Sequence, residues 1–237
     1  MPEKVMPGPV EGTGGIREAV CVHTRKIYDS CRDKDCIEDL RFYPKLQYVD
    51  VINHALSVKG GSADLLYVYV DVEPVNFNRG FYTVDMRFFY NVTLQAYTSC
   101  PAPVTVEGLC VFDKRAILFG SEGSAKIFSS QMRVGECDTQ LGREANTPIA
   151  VVEAVDPIVL DARIVDCCGR RDCDCDLCEV PSFINECFSG ELSSGDEGRR
   201  VYVTLGQFSI VRLERDTQVL VPVYDYCMPD KECACGD

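Results

Sequence analysis

Cysteine is the residue type in this chain whose number and spacing could support chemistry. The chain has 15 cysteines among 237 residues, and a thiol can form a disulfide, bind a metal ion or act as a nucleophile. Six of them lie in one stretch, DCCGRRDCDCDLCEVPSFINEC, at residues 166–187. Because the total is odd, at least one thiol is free, bound to metal or bonded to another molecule.

One interpretation of this stretch is a zinc site. Thiolates of Cys168, Cys173, Cys175 and Cys178 could surround one ion, since sulfur ligands suit four-coordinate Zn²⁺. However, the spacing differs from the two separated Cys-x-x-Cys pairs of usual structural zinc sites, and aspartates lie between the ligands. We therefore expect no cofactor, with zinc binding as the weaker alternative.

A thiol enzyme is a second interpretation of the same stretch. Cys175 and Cys178 form a Cys-x-x-Cys motif, but a reactive thiolate needs a helix N-terminus or a nearby cation to stabilise it. Carboxylates surround this motif instead, and they raise the pKa of a thiol. The two histidines, His23 and His54, stand alone in the sequence. The sequence therefore predicts no enzymatic activity.

Disulfide crosslinking is the leading interpretation of the cysteines. Cys167 and Cys168 are adjacent and rarely bond each other, so each needs a distant partner. Cys233 and Cys235 lie in the C-terminal tail, where they could reach another molecule. The candidates for disulfides within or between molecules are Cys21, Cys31, Cys36, Cys167, Cys168, Cys173, Cys175, Cys178, Cys187, Cys227, Cys233 and Cys235.

The net charge of the chain excludes several classes of partner. Lys and Arg number 24 against 37 Asp and Glu, which gives a formal net charge of −13. Phosphate groups repel such a chain, so neither nucleic acid nor an anionic membrane is expected as a partner. No stretch approaches the ~20 apolar residues of a membrane-spanning helix, so no membrane insertion is expected.

The cysteine content and the N-terminal sequence point to different compartments. Abundant cysteine is typical of an oxidising location. The N-terminal sequence MPEKVMPGPVEGTGG, by contrast, lacks the apolar core of a signal peptide. We expect synthesis in the cytoplasm without a signal peptide.

Alternating apolar and β-branched residues predict β-strands over most of the chain. The predicted strands are Glu18–Tyr28, Ala63–Val75, Gly80–Thr98, a strand pair in Val104–Gly120 with a turn at Asp113–Arg115, Ser124–Val134, one or two strands in Thr147–Val165, and a hairpin in Arg199–Cys227 with its turn near Glu214–Thr217. The first of these could also be a helix, but its β-branched residues favour a strand. We predict a loop around Cys31 and Cys36, a turn at Asn76–Gly80, and one possible helix at Gln47–Val58.

These elements predict a mainly β fold. About nine strands with short connections are typical of an antiparallel β-sandwich or barrel-like domain, here with an irregular Cys-rich loop and flexible N- and C-terminal arms. The predicted organisation is a flexible arm at residues 1–15, one domain at 16–226 interrupted by the Cys-rich loop at about 166–198, and a Cys-containing tail at 227–237. With 46% hydrophobic residues, the domain can form a core without disulfides.

Three segments of the chain carry a resemblance to known proteins: IREAVCVHTRKIYDSCRDKDCIEDLR (Ile16–Arg41), EPVNFNRGFYTVDMRFFY (Glu73–Tyr90) and FDKRAILFGSEGSAKIFSS (Phe112–Ser130). They resemble a family of cysteine-rich proteins from the spore surface of clostridia. The resemblance implies a structural protein that self-assembles into a two-dimensional lattice in the exosporium or spore coat. Disulfides would crosslink that lattice into a resistant permeability barrier, with no catalytic residues.

The resemblance also reconciles the cysteines with the expected lack of a signal peptide. A spore-surface protein is made and kept reduced in the mother-cell cytoplasm, and it meets oxidant when the mother cell lyses. Thiols that assembly has already brought together then form disulfides, because contacts made first raise their effective concentration. The implied partners are other copies of the chain and other spore-surface proteins.

Overall fold

The described part of the chain is mainly β. The structure is a computed structural model that describes residues 18–99, 102–123, 126–127, 144–145, 147–166, 176–194 and 198–223. Its strands are β1 (Glu18–Pro44), β2 (Ser57–Pro74), β3 (Phe81–Tyr97), β4 (Val104–Phe119), β5 (Lys126–Ile127), β6 (Glu144–Ala145), β7 (Ile149–Ala154), β8 (Ile158–Asp166) and β9 (Arg199–Val223). Two short α-helices, α1 (Val49–His54) and α2 (Ser182–Glu186), and 3₁₀ turns at Leu46–Tyr48 and Asp176–Glu179 complete the described elements.

The chain divides into two compact units. The first consists of residues 1–26 and 216–237, and the second of residues 27–215. In the first unit, the described residues are the beginning of β1 and the end of β9, where Arg25 Nε lies 3.6 Å from Asp216 Oδ1. The second unit contains the remaining described elements and most of the buried side chains.

The second unit is built on one antiparallel sheet that nearly closes into a barrel. The strand order is β2-β3-β4-β1-β9-β7, and β8 pairs with β9 beside β7. β7 and β8 also contact β2, so the two ends of the sheet lie next to each other. The backbone N–H of Leu65 in β2 donates to Asp156 Oδ1 between β7 and β8, at 2.9 Å. The predicted mainly β, antiparallel fold is confirmed, and of the two predicted forms, sandwich and barrel, the structure has the barrel-like one.

The core lies on the inner face of this sheet. Successive side chains of a strand point to opposite faces, and the inner-face residues of β3 are almost completely buried. They are Val84, Met86, Phe88, Tyr90, Val92, Leu94 and Ala96. Apolar side chains of β1, β2, β4 and β9 join the same cluster. This burial is the dominant source of the fold's stability.

Several strands agree with the sequence prediction. The strand over Glu18–Tyr28, the turn at Asn76–Gly80 and the antiparallel pairing of the two strands beside that turn are confirmed. The region Thr147–Val165 contains two strands, β7 and β8. The possible helix at Gln47–Val58 is shorter, since α1 ends at His54 and β2 begins at Ser57.

Three predicted turns and loops are wrong for one physical reason. The stretch around Cys31 and Cys36 lies within β1, Asp113–Arg115 lies within β4, and Glu214–Thr217 lies within β9. Their charges suggested solvated turns, but neighbouring side chains pair with them. Arg212 Nε, for example, lies 2.5 Å from Glu214 Oε1.

Some predictions fall outside the described residues. Of the predicted strand Ser124–Val134, only residues 126–127 are described, as β5 paired with β6. The N-terminal arm and the C-terminal tail are not described. Within the described ranges, none of the helices is long and apolar enough to cross a membrane.

Candidate crosslinking site

β1 carries three of the predicted disulfide candidates. Cys21 and Cys36 are exposed, Cys31 is half-buried, and all three have free thiols. Cys31 and Cys36 are five residues apart on one strand, so their side chains point to opposite faces. At ~3.3 Å per residue their Cα atoms are roughly 16 Å apart, well beyond the ~7 Å limit for a disulfide. These two thiols therefore cannot bond each other.

Burial and nearby charged groups together raise the pKa of the Cys31 thiol. Burial raises its pKa, and the nearby Asp33 and Asp29 raise it further. Lys114 and a hydrogen bond at the backbone of Val211 act in the opposite direction without cancelling this effect. Because the thiolate is the reactive form, both the burial of Cys31 and its raised pKa disfavour reaction of this thiol.

An ion-pair cluster beside Cys31 fixes β1 against β4. Lys114 Nζ lies 2.9 Å from Asp33 Oδ2 and 2.5 Å from Asp35 Oδ2. Burial lowers the pKa of Lys114, but hydrogen bonds to Asp35 and Asp33 raise it on balance. The same hydrogen bond from Lys114 lowers the pKa of Asp33. The charged residues between Cys31 and Cys36 thus hold the strand that presents both thiols.

The described end of the Cys-rich region is packed on the outer face of the sheet. Residues 176–192, the docked segment, contain the second 3₁₀ turn and α2. Ile184 and Phe188, one helical turn apart, are buried against Tyr43, Phe89 and Leu109 of the sheet. Although the sequence suggested an irregular loop, this part has regular turns because its apolar side chains find a second, external core.

Ion pairs and backbone hydrogen bonds add to this packing. Lys45 Nζ pairs with Glu107 and lies 3.2 Å from Ser189 Oγ in the docked segment. The hydrogen bond from Lys45 lowers the pKa of Glu107. Arg87 of β3 pairs with Asp113 of β4 and with Glu179. The docked segment is therefore held by an ion pair at Glu179, by a hydrogen bond at Ser189 and by apolar contacts between them.

Cys187 follows α2 and is exposed. Its Sγ lies 3.4 Å from the carbonyl oxygen of Phe183, to which the thiol can donate a hydrogen bond. The neighbouring Ile184 and Phe188 are buried, so packing on both sides fixes the position of the thiol. Cys178 has its backbone in the 3₁₀ turn Asp176–Glu179 of the same segment.

Cys110 is the one completely buried cysteine among the described side chains. It lies on the inner face of β4 opposite Tyr90 and is completely buried. Burial raises its pKa well above that of an ordinary thiol. Cys110 was not a disulfide candidate in the sequence, and its position in the core gives it no access to another molecule.

The remaining candidates fall outside what the structure describes. These are Cys167, Cys168, Cys173, Cys175, Cys227, Cys233 and Cys235, together with the side chain of Cys178. The zinc alternative, which needs Cys168, Cys173, Cys175 and Cys178, lies in the same undescribed part. Among the described side chains, no group of three or more His, Cys, Asp or Glu residues could hold a metal ion.

Sequence reasoning missed the charged pairs that join β3 to β4. Asp85 and Arg87 alternate along β3 and pair with Arg115 and Asp113 in the opposite order along β4. Such complementary alternation on two strands is a signal of antiparallel pairing. It was overlooked because the charges at 113–115 were interpreted as a turn between two shorter strands.

Comparison of the whole sequence with known proteins finds a relative. The chain is 24% identical over 239 residues to exosporium protein A of Clostridium sporogenes (strain ATCC 15579). The aligned region covers 98% of this chain and 70% of that protein. The similarity supports the predicted resemblance to clostridial spore-surface proteins. No protein-family model matches the chain. No solved structure matches it.

Proposed function

We propose that this protein is a structural component of the clostridial spore surface, in the exosporium or coat. Copies of the chain assemble into a two-dimensional lattice, and disulfides between them make it a resistant permeability barrier. The observation that carries the spore-surface role is the similarity to exosporium protein A over 98% of the chain; the lattice and its disulfides are argued from the thiols below. A similarity of that extent involves the whole fold rather than one local motif.

The packing of the second unit supports a role for the cysteines outside the fold. Its inner core and its external core are made of apolar side chains from the sheet and the docked segment. Of the five cysteines with free thiols in the described ranges, Cys110 is buried in the core and Cys31 is half-buried against it, whereas Cys21, Cys36 and Cys187 are exposed. The three exposed thiols make no contribution to this core and are accessible to another molecule.

The positions of two thiols support crosslinking between copies. Cys36 and Cys187 are exposed, and each lies on a segment that ion pairs or apolar packing hold in place. A fixed thiol meets the same partner at every repeat of a lattice contact, and the contact itself raises the effective concentration of the pair. Non-covalent assembly therefore comes first and selects which disulfides form.

The covalent step is an ordinary oxidation of two thiols. Each bridge forms when two cysteines lose two protons and two electrons to an oxidant such as dioxygen. Before that step the assembly is reversible, and afterwards dissociation requires reduction of the bridges. This order fits a protein that is made in a reducing cytoplasm and becomes exposed to oxidant on mother-cell lysis.

Assembly of the purified protein tests the proposal. The protein is prepared with reductant, transferred to oxidising buffer, and examined by electron microscopy and by electrophoresis with and without reductant. We expect ordered sheets, and high-mass species that return to monomer when reductant is added. Protein that stays monomeric in oxidising buffer would overturn the proposal.

Cysteine variants distinguish crosslinking from non-specific oxidation. A double variant, Cys36→Ser with Cys187→Ser, is expected to lose a large share of the high-mass species while still forming sheets that denaturant disperses. The control is Cys110→Ala, which removes a buried thiol and should crosslink as the unaltered protein does. Equal crosslinking by the unaltered protein, the double variant and Cys110→Ala would show that Cys36 and Cys187 do not form the disulfides between copies.

A further inference from the structure

The outer face of β2, β3 and β4 contains an open groove beside the docked segment. The groove encloses about 690 Å³, and it is bordered by Tyr69, Asp85, Arg87, Asp113, Arg115 and Glu179 among others. This volume lies within the range of small-molecule sites, roughly 300–1,000 Å³. All of these residues belong to the second unit.

Strand pairing sets the order of side chains across the groove floor. Tyr69 of β2 lies opposite Arg87 of β3, which lies opposite Asp113 of β4. The next row towards the β2–β3 turn pairs Asp85 with Arg115. An aromatic ring thus lies directly beside two rows of charged side chains, and Tyr69 remains 53% exposed.

The charged groups of the floor hold one another in fixed positions. Arg87 donates two hydrogen bonds to Asp113, at 2.6 and 2.8 Å, and Arg115 donates two to Asp85, at 2.5 and 3.0 Å. Guanidinium groups only donate hydrogen bonds and carboxylates only accept them. The floor therefore offers both kinds of group in a preorganised array, which lowers the entropy cost of binding.

The charged side chains of the groove and of its rim, the neighbouring outer-face residues Asp71 and Glu73 of β2, disfavour an anion or a second copy of the chain as the occupant. The outward-facing charged side chains are Asp71, Glu73, Asp85, Asp113 and Glu179 against Arg87 and Arg115. Lys114, between Asp113 and Arg115, faces the interior and pairs with Asp33 and Asp35. The excess of carboxylates repels anions. It also repels the same face of a second copy, because that copy carries the same excess.

We infer that this groove binds a neutral glycan. Sugar hydroxyl groups both donate and accept hydrogen bonds, so they complement the guanidinium groups and the carboxylates without bringing a charge to be desolvated. The apolar face of a sugar ring packs on the exposed ring of Tyr69. Aromatic rings with a few fixed polar groups are the usual lining of a small-molecule site.

The outer face of β4 carries further exposed apolar side chains beyond the groove, which an oligosaccharide could contact. Ile117 and Phe119 follow Arg115 at alternate positions of β4, and both are exposed. Phe119 forms an edge-to-face pair with Phe81, with ring centroids 5.3 Å apart. Aromatic side chains therefore lie beside the Arg87–Asp113 row, at Tyr69, and further along the strands, at the Phe81–Phe119 pair. An oligosaccharide can contact both places, which one sugar does not reach.

A cationic peptide is the alternative occupant, because the rim is acidic. The floor argues against it, since Arg87 and Arg115 lie among the carboxylates and would repel a cation. Asp85 and Asp113 are also already neutralised by those arginines. The favourable contacts on this face are with a neutral, hydroxylated ligand.

Titration of the reduced, full-length protein with defined probes tests the inference. The probes are a β-linked glucose tetrasaccharide, an N-acetylglucosamine tetrasaccharide, a sulfated tetrasaccharide and a lysine-rich peptide, followed by NMR and calorimetry. We expect saturable binding of at least one neutral tetrasaccharide and at least tenfold weaker binding in Tyr69→Ala. The matched control is Phe77→Ala, which removes another exposed aromatic ring, in the β2–β3 turn, and should leave binding unchanged.

Several results would overturn the inference. These are no saturable binding of either neutral tetrasaccharide, equal effects of Tyr69→Ala and Phe77→Ala, tighter binding of the sulfated probe, or binding of the peptide alone. The inference is independent of the proposed lattice. Protein that binds the tetrasaccharide but never assembles would refute the lattice and leave the groove assignment intact.

Discussion

The free thiols in the described part of the chain differ in exposure and in their electrostatic surroundings. Cys21, Cys36 and Cys187 are exposed, Cys31 is half-buried beside carboxylates, and Cys110 is enclosed in the core. Because alkylating reagents attack the thiolate of an accessible cysteine, these differences predict an order of modification. The exposed three should react first, Cys31 more slowly, and Cys110 only after unfolding.

Pulsed alkylation of the reduced protein at pH 8, followed by peptide mass spectrometry, measures this order. Urea at a denaturing concentration serves as the control, since all thiols should then react at similar rates. Modification of Cys110 as fast as Cys36 in the folded protein would contradict the placement of Cys110 in the core.

The pair Lys45–Glu107 predicts a pH-dependent stability. Lys45 is buried, with a side chain only 6% exposed, so Glu107→Gln leaves a buried charge without its partner. We expect the free energy of unfolding to fall by about 1–3 kcal/mol at pH 7. The control is Glu38→Gln, a substitution of an exposed carboxylate, for which little change is expected.

The pH dependence of that loss gives a second check. The pKa of Glu107 is lowered in the folded protein, so its stabilising effect is complete above the ordinary carboxyl pKa of about 4.3. The effect is lost as the pH falls through the lowered pKa. Urea unfolding curves of the unaltered protein and Glu107→Gln should therefore converge in strong acid. A difference that stays constant from pH 7 to below pH 3 would show that charge is not its cause.

At the scale of elements, charged residues belong to strands because other strands neutralise them. Alternation of apolar residues was enough to predict β2 and β3 from the sequence, and one or two strands in the region where β7 and β8 lie. It failed wherever charges were clustered, as at Asp113–Arg115, because a single strand does not reveal its neighbour. The partners of Asp113 and Arg115 lie on β3 and those of Lys114 lie on β1, and only the assembled sheet brings them together.

The docked segment shows a related limit of the sequence. Cysteine spacing indicated that residues 166–187 matter, but it said nothing about where they lie. Two buried side chains, Ile184 and Phe188, decide the position of the described part by packing on the outer face of the sheet. The apolar residues between the cysteines were the available signal, although a stretch this short does not specify which surface it covers.

Truncation of Ile184 should release this segment without unfolding the sheet. Ile184→Ala removes apolar contacts of a side chain that is 1% exposed, a loss of about 2–5 kcal/mol. Since the segment lies outside the inner core, we expect faster hydrogen exchange of the α2 amides. The amides of β3 should keep their protection.

Hydrogen-exchange mass spectrometry measures both regions in one experiment. The control is Asn185→Ala, which changes the exposed neighbour in the same helix and should leave both regions protected. If β3 and α2 lost protection together in Ile184→Ala, the segment would be an integral part of the fold rather than a docked one.

At the scale of the whole molecule, the fold class was predictable from the sequence and the strand order was not. Nine strands with short connections predicted a mainly β, barrel-like fold. The sequence did not reveal that β1 lies between β4 and β9, two strands far from it in the chain. Long-range pairing of this kind depends on which edges and apolar faces fit together, which local periodicity does not encode.

The central claim is that the cysteines join copies of the chain. The most direct test mixes equal amounts of ¹⁴N- and ¹⁵N-labelled reduced protein, allows assembly and oxidation, and maps the disulfide-linked peptides by mass spectrometry. Bridges between copies combine the two labels at random, whereas bridges within one copy never do. We predict mixed-label bridges that include Cys36 or Cys187. Disulfides found only in uniformly labelled pairs would contradict the claim.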